Sequence, residues 1–364
     1  MLVVAALLFA TQITDQVRPD SIIGGSNCSR CRIVLSRPTH IGAKRDTAGR
    51  YADTQVIVRS NGGELYVPKV TFRDRLAVYD NAGGFLRTER FDSLGEGNIG
   101  AIYRGLGDTT FVFNNARTQL VAVLPSTKSI IPLLGYPGSV HQALRMKDGS
   151  WIVNGVFRTS ETIGQPIHIL SREGAVRSFG SISREHRPDR PLEGWRHLAM
   201  LPSGNVLAAS YTQPVLEVWS TSATRIAQFH LQLPEFVIWD AGPRWSEMSP
   251  PRSVIDDARV DEQGRVWLMV SVAGKSWRQA MRTVITPDGP VTLPSDWTKA
   301  ISSWLLIVEP NSGKVIFGAR FNNYLRQFLG TGQVIGLSGA PNENQTLTVF
   351  ALDADLGLVK ERGG

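Results

Sequence analysis

Any chemistry in this chain has to be assembled from residues far apart in sequence. The six histidines, His40, His141, His168, His186, His197 and His230, show no metal-ligand spacing to one another. No H-E-x-x-H, G-x-S-x-G or Walker-type phosphate loop occurs. Gly95-Glu96-Gly97-Asn98-Ile99-Gly100 fits G-x-G-x-x-G, but a dinucleotide site needs a helix after that turn. Ala101-Ile102-Tyr103 follows instead and reads as strand, so the glycines mark a loop. Two adjacent pairs carry more: Arg196-His197 and Asp256-Asp257. Carboxylates with imidazoles suit a metal-activated water if two or three ligands meet and one position stays open. With the arginine, the same groups suit a polar or anionic ligand.

Cys28 and Cys31 are the only cysteines. One Cys-x-x-Cys pair supplies two ligands, too few for a closed zinc site. A thioredoxin-like motif needs a βαβ setting, whereas Arg32-Ile33-Val34-Leu35 reads as strand. A local disulfide or two free thiols remain, with no catalytic role expected.

The elements that would position such residues repeat. A glycine, a polar residue and a short β-run recur at Gly63, Gly107, Gly149, Gly204, Gly264 and Gly332, at intervals of 44, 42, 55, 60 and 68 residues, the longer of which absorb insertions. Strand-like segments precede these glycines, as at Ile57-Val58, Leu144-Arg145-Met146 and Ala258-Arg259-Val260. Glycine there supplies the positive φ of a tight hairpin. A second hairpin follows in each unit, at Asp80 to Gly84, Arg172 to Gly174, Pro310 to Gly313 and Asp353 to Gly357. The second and fourth units turn after Leu120 to Leu124 and Val215 to Trp219. Six four-stranded units select an all-β, six-bladed β-propeller of antiparallel blades, because radial repetition leaves only short protected edges. Trp151, Trp219 and Trp267 belong to its core. Closure requires the segment near Arg32 to Leu35 to pair with the blade holding Val349 and Val359, since an open last blade would expose a sheet edge.

Leu2 to Ala10 is an apolar run of signal-peptide length, too short to span a bilayer, although no Lys or Arg precedes it. Residues 1–27 are accordingly read as a signal peptide with an N-terminal lead, and residues 28–364 as one propeller domain, periplasmic or extracellular. The net charge of +7 forms no long block, and the densest stretch, Arg184 to Arg190, is broken by Glu185, Pro188 and Asp189. That argues against a nucleic-acid surface and leaves an acidic envelope surface as a contact. No stretch is long and apolar enough for a transmembrane helix.

Several motifs resemble those of an exported family of bacterial six-bladed propellers related to the NHL-repeat and TolB-like groups. Cys31-Arg32-Ile33-Val34-Leu35 matches its opening Cys-x-Ile-x-Leu, and Val78-Tyr79-Asp80 with Gly84-Phe85-Leu86-Arg87 matches its first blade. Leu94-Gly95-Glu96-Gly97-Asn98 matches its glycine loop but departs at Asn98-Ile99-Gly100, where that family has Pro-Gly-Glu-Phe. The resemblance spans residues 31 to 360. Its motifs are turns, so it implies the fold and not an activity.

In a propeller the starts of the innermost strands converge on one mouth of the channel. The expected ligand surface is therefore Asn98, His141, Arg196, His197, Asp256 and Asp257, with Asp53, Trp195, Asn322 and Asn323 at equivalent starts. Two long segments flank the Asp256-Asp257 pair, Leu233 to Val254 and Ser271 to Ser302, and the first is expected to roof the mouth. The expected function is a non-catalytic binding propeller for a protein, peptide or glycan, with no cofactor. The alternative is a lactonase-like hydrolase or lyase using a divalent metal such as calcium, held by Asp256, Asp257, Asn98, His141 and His197. A structural envelope component is a third reading.

Overall fold

The computed structural model describes residues 16–23, 31–41, 57–59, 63–68, 75–90, 99–104, 109–124, 129–157, 164–180, 194–238, 244–286, 289–330, 332–339 and 346–356. Six antiparallel blades form a β-propeller. Their innermost strands are Val58–Arg59, Ile99–Arg104, Gly138–Arg145, Arg196–Met200, Val254–Val260 and Tyr324–Phe328, for blades 1 to 6.

Glycine turns join the first and second strands as the repeat predicts. Gly63, Gly149, Gly204, Gly264 and Gly332 all have φ between +79° and +88°. Gly107 lies outside the described residues. At Gly204 a Cβ would meet nothing within 4 Å, so only the backbone conformation favours glycine. Gly204→Ala is expected to lower stability by about 1–2 kcal/mol, the cost of a left-handed L-residue. Urea unfolding measures it, and an unchanged midpoint would mean that the turn relaxes to another geometry.

Apolar clusters fill the six blade junctions. Leu65 meets Leu347 between blades 1 and 6, Tyr66 meets Val112 between blades 1 and 2, and Phe113 meets Trp151 between blades 2 and 3. Ile152 with Trp219, Leu216 with Leu268, and Trp267 with Phe350 complete the circle. The three core tryptophans are at most 7% exposed. Burying large side chains between successive sheets is what holds the disc together.

The ring closes through the N-terminal segment. Arg32–Ile41 is the fourth strand of blade 6 and pairs with Thr346–Asp355, Leu35 opposite Leu352 and Thr39 opposite Val349. The turn expected from Asp353 does not begin there: the strand runs on through Asp355, paired with a strand from the other end of the chain, and Gly357 lies outside the described residues. Gln16–Val17 and Ser21–Ile23, within the segment read as a lead, add outer strands to blades 6 and 5. Asp20 fastens the second of these through Arg320 (2.8 Å) and Lys275 (2.9 Å). Cys31 is disulfide-bonded, and Cys28 lies outside the described residues.

Blade 5 carries the Ser271 to Ser302 insertion as a hairpin, Met281–Thr286 with Gly289–Pro294, flanked by one-turn helices Trp277–Ala280 and Trp297–Ala300. No described helix is long and apolar enough to cross a membrane.

Candidate active site in the axial channel

The innermost strands share a defect in their pairing that positions the polar residues. In blades 2, 3, 5 and 6 the register with the second strand slips past one residue: Gly100, His141, Asp256 and Arg326. Each is a β-bulge, which re-aims the side chains around it. In blades 3, 5 and 6 the residue after the bulge latches the next blade. Gln142 Oε1 accepts from Leu198 N (2.7 Å), Asp257 Oδ2 from Phe328 N (2.8 Å), and Gln327 Oε1 from Ile57 N (2.7 Å). His197 occupies this latch position in blade 4, and its Nδ1 stands 3.9 Å from Asp257 Oδ1.

The bulge residues of blades 5 and 6 are more enclosed. Arg326 Nη1 donates to Asp256 Oδ1 at 2.8 Å and also to the Tyr324 hydroxyl, and the Asp256 side chain has no exposed surface. Arg196, at the start of its strand, has its Nε 3.6 Å from Glu217 Oε2 and donates from Nη1 to the Trp195 carbonyl (3.0 Å).

A cavity of about 720 Å³ is lined by His141, Trp195, Arg196, His197 and Asp257. A second of the same volume shares Gln142, Asp257 and Gln327 and reaches the exposed turn residues Glu262, Gln263 and Gly330. His197 and Asp257 are 21% and 13% exposed, and the cavity they line accounts for that surface.

Burial sets the protonation states. It pushes His141 down to about 4. His197 falls to about 4 through burial and the Arg326 charge, against a hydrogen bond to the Ile255 backbone. Both imidazoles are thus neutral at pH 7. Burial raises Asp257 to about 7, although the backbone N–H groups of Phe328 and Ala258 and the Arg259 charge work the other way. The histidines differ from an ordinary core histidine. His168 is also buried and neutral, but Ser178 and the Gly155 carbonyl engage its two ring nitrogens and it stacks on Phe157. His141 Nε2, His197 Nε2 and Trp195 Nε1 are buried without a hydrogen-bond partner, on residues that line the cavity, and orphaned groups of this kind call for an explanation.

Of the residues expected at the mouth, the structure brings His141, Arg196, His197 and Asp257 to one cavity. Asp256 does not reach it, because its carboxylate is consumed by Arg326. Asn98 and Asp53 lie outside the described residues. Asn322 is exposed, and blade 6 sends Tyr324 and Arg326 inward instead. Sequence reasoning missed Arg326 because it counted from the strand start, and missed Arg244 because nothing local marks it. Of the Leu233 to Val254 segment expected to roof the mouth, Trp245 packs on Trp297 (5.5 Å), which packs on Tyr324 (5.0 Å), and none of its described residues lines either cavity.

A divalent cation does not fit the described residues. Both Asp257 oxygens accept backbone N–H bonds at 2.8 Å, Asp256 is ion-paired, and the guanidiniums of Arg196, Arg244 and Arg326 make the surroundings cationic. Among the described residues no three His, Cys, Asp or Glu side chains gather at one point.

No protein-family model matches this chain. No curated protein matches it either. Solved structures share its fold. A gluconolactonase from Xanthomonas campestris superposes with a TM-score of 0.51 at 10% identity, covering 93% of this chain and 97% of that one. A luciferin-regenerating enzyme gives 0.51 at 10% identity, covering 86% and 95%. A Bacteroides fragilis protein described as exported gives 0.52 at 9% identity, covering 93% and 98%. At such identities the likeness shows the six-bladed fold. The expectation of a non-catalytic binding propeller is corrected: the two of these neighbours named by an activity are enzymes.

Proposed function

We propose that this protein is a lactonase- or lyase-like enzyme that performs proton transfer in its axial channel on a small ester, lactone or activated C–H substrate. The observation that carries the reading is the His197–Asp257 pair, 3.9 Å apart in a cavity, with His197 Nε2 unpartnered. Apo contacts of this kind are often long and tighten with substrate bound. In ester hydrolysis, Nε2 takes a proton from water as its oxygen adds to the carbonyl carbon. The Asp257 carboxylate stabilises the imidazolium through Nδ1, and the same proton passes to the departing alkoxide as the C–O bond breaks. In elimination, Nε2 takes the proton from carbon and returns it to the leaving oxygen. Both reactions need a donor for the developing oxyanion, and Trp195 Nε1–H in the same cavity is unsatisfied.

The test is turnover by the purified protein of γ- and δ-lactones, read as acid release, and of β-acyloxy acids, read as the absorbance of the unsaturated product. We expect one class to turn over and His197→Ala to lower its kcat by about 100-fold or more. Turnover unaffected by that substitution, or no turnover of either class, would remove the reading.

A further inference from the structure

Arg244 is a partly buried guanidinium with no carboxylate partner among the described residues. Its Nη1 donates to the Tyr211 hydroxyl (3.2 Å) and its Nη2 to Ser271 Oγ (3.1 Å), both neutral groups. Its Cζ lies 4.5 Å from the centroid of the Trp245 ring, and its Nε–H has no acceptor. The neighbouring cations are accounted for: Arg326 pairs with Asp256 at 2.8 Å and Arg196 with Glu217 at 3.6 Å. Burial works against the Arg244 charge, Tyr211, Tyr324 and Asp256 favour it and Arg326 repels it, with a net upward shift. A partly buried guanidinium whose hydrogen bonds go only to neutral groups offers a place for an anion.

Arg244 is also tied to the reacting groups. Tyr211, which accepts its hydrogen bond, has its ring 6.0 Å from His197 and 5.3 Å from Trp195. One aromatic ring therefore separates the unpaired cation from the proposed base. The planar fork of a guanidinium matches a carboxylate. The charge count favours a monoanion, since a phosphate dianion would bring two charges against one uncompensated cation.

We propose that Arg244, with the Tyr211 hydroxyl, is a subsite for a carboxylate group on the substrate, so that the enzyme acts on acids rather than on neutral esters. The assignment builds on the proposed function, but its test does not depend on turnover. Lactate and its neutral isostere lactamide are titrated calorimetrically into wild-type protein, Arg244→Gln and Arg244→Lys, with circular dichroism confirming that each is folded. Lactate should bind wild type at least about tenfold more tightly than lactamide, and Arg244→Gln should erase that preference. Arg244→Lys keeps the charge without the fork and should retain part of it; if Arg244→Gln does not fold, this variant decides. Equal binding of the two probes, no lactate binding to wild type, or full preference in a folded Arg244 variant overturns the subsite. Charge-selective binding without turnover would leave the subsite standing and remove the proposed reaction. Turnover with no charge preference would do the reverse.

Discussion

Asp257→Asn is expected to lower kcat by about 100- to 10,000-fold while leaving the propeller folded. The amide keeps the shape of the side chain but cannot carry the charge that stabilises a protonated His197. The same argument fixes the pH dependence. Asp257 titrates near 7, so the ionised form grows as pH rises and wild-type activity should climb through pH 7 on its acid limb. His197 and His141 are already neutral above about 4 and add no second step there. The asparagine variant should lose the limb as well as the rate. Retaining the limb near 7 in that variant would assign it to another group.

Stability should move with pH in a different way. An unfolded histidine gains its proton near 6.5, whereas His141, His168 and His197 gain theirs near 4 in the folded state. Between those values the unfolded chain holds more protons, so acidification unfolds the protein. Asp257 acts oppositely, holding a proton up to about 7 that the unfolded chain releases near 3.8. Three histidines against one carboxyl leave a net loss of stability from pH 6.5 down to 4. Thermal melts across that range read it directly, and a flat or rising profile on acidification would contradict the buried neutral imidazoles.

The fold was legible because its rules are local. Gly149, Gly204 and Gly264 announce hairpins through their own backbone, and the alternation of the flanking strands needs no distant partner. Closure was legible for a different reason: a sheet edge has to be covered, and Arg32 to Leu35 was the remaining strand. The site was only half legible. Counting from strand starts found His141, Arg196, His197 and Asp257, since topology alone brings them together. It failed at Asp256 and Arg326 because these two bulge residues pair with each other, whereas His141, also at a bulge, lines the cavity. Neither a bulge nor the ion pair across it leaves a mark in a single sequence. Arg244 was hidden for a further reason: its surroundings come from Tyr211, Ser271 and Trp245, on separate elements.

The Asp256–Arg326 pair sets the second large expectation, this time on stability. Asp256→Leu leaves the Arg326 guanidinium buried without its counter-charge, next to Arg244 and near His197, both of which feel its field. Arg326→Met strands the Asp256 carboxylate in the same place. Each single replacement should cost about 3–5 kcal/mol, because removing one partner leaves an uncompensated buried charge. The double replacement removes both charges and fills the space with apolar groups, a change that is often neutral for a pair of this kind. Here the recovery should be incomplete, since Asp256 is also the carboxylate that attracts Arg244, and the double variant takes that support away. Urea unfolding of the four proteins gives the coupling energy, and addition of lactate to the double variant isolates the Arg244 share, because a bound carboxylate would restore the missing negative charge. Single replacements that cost less than about 1 kcal/mol, the range of exposed ion pairs, would show that the bulge ring is open to water and that its charges are not held in a closed site.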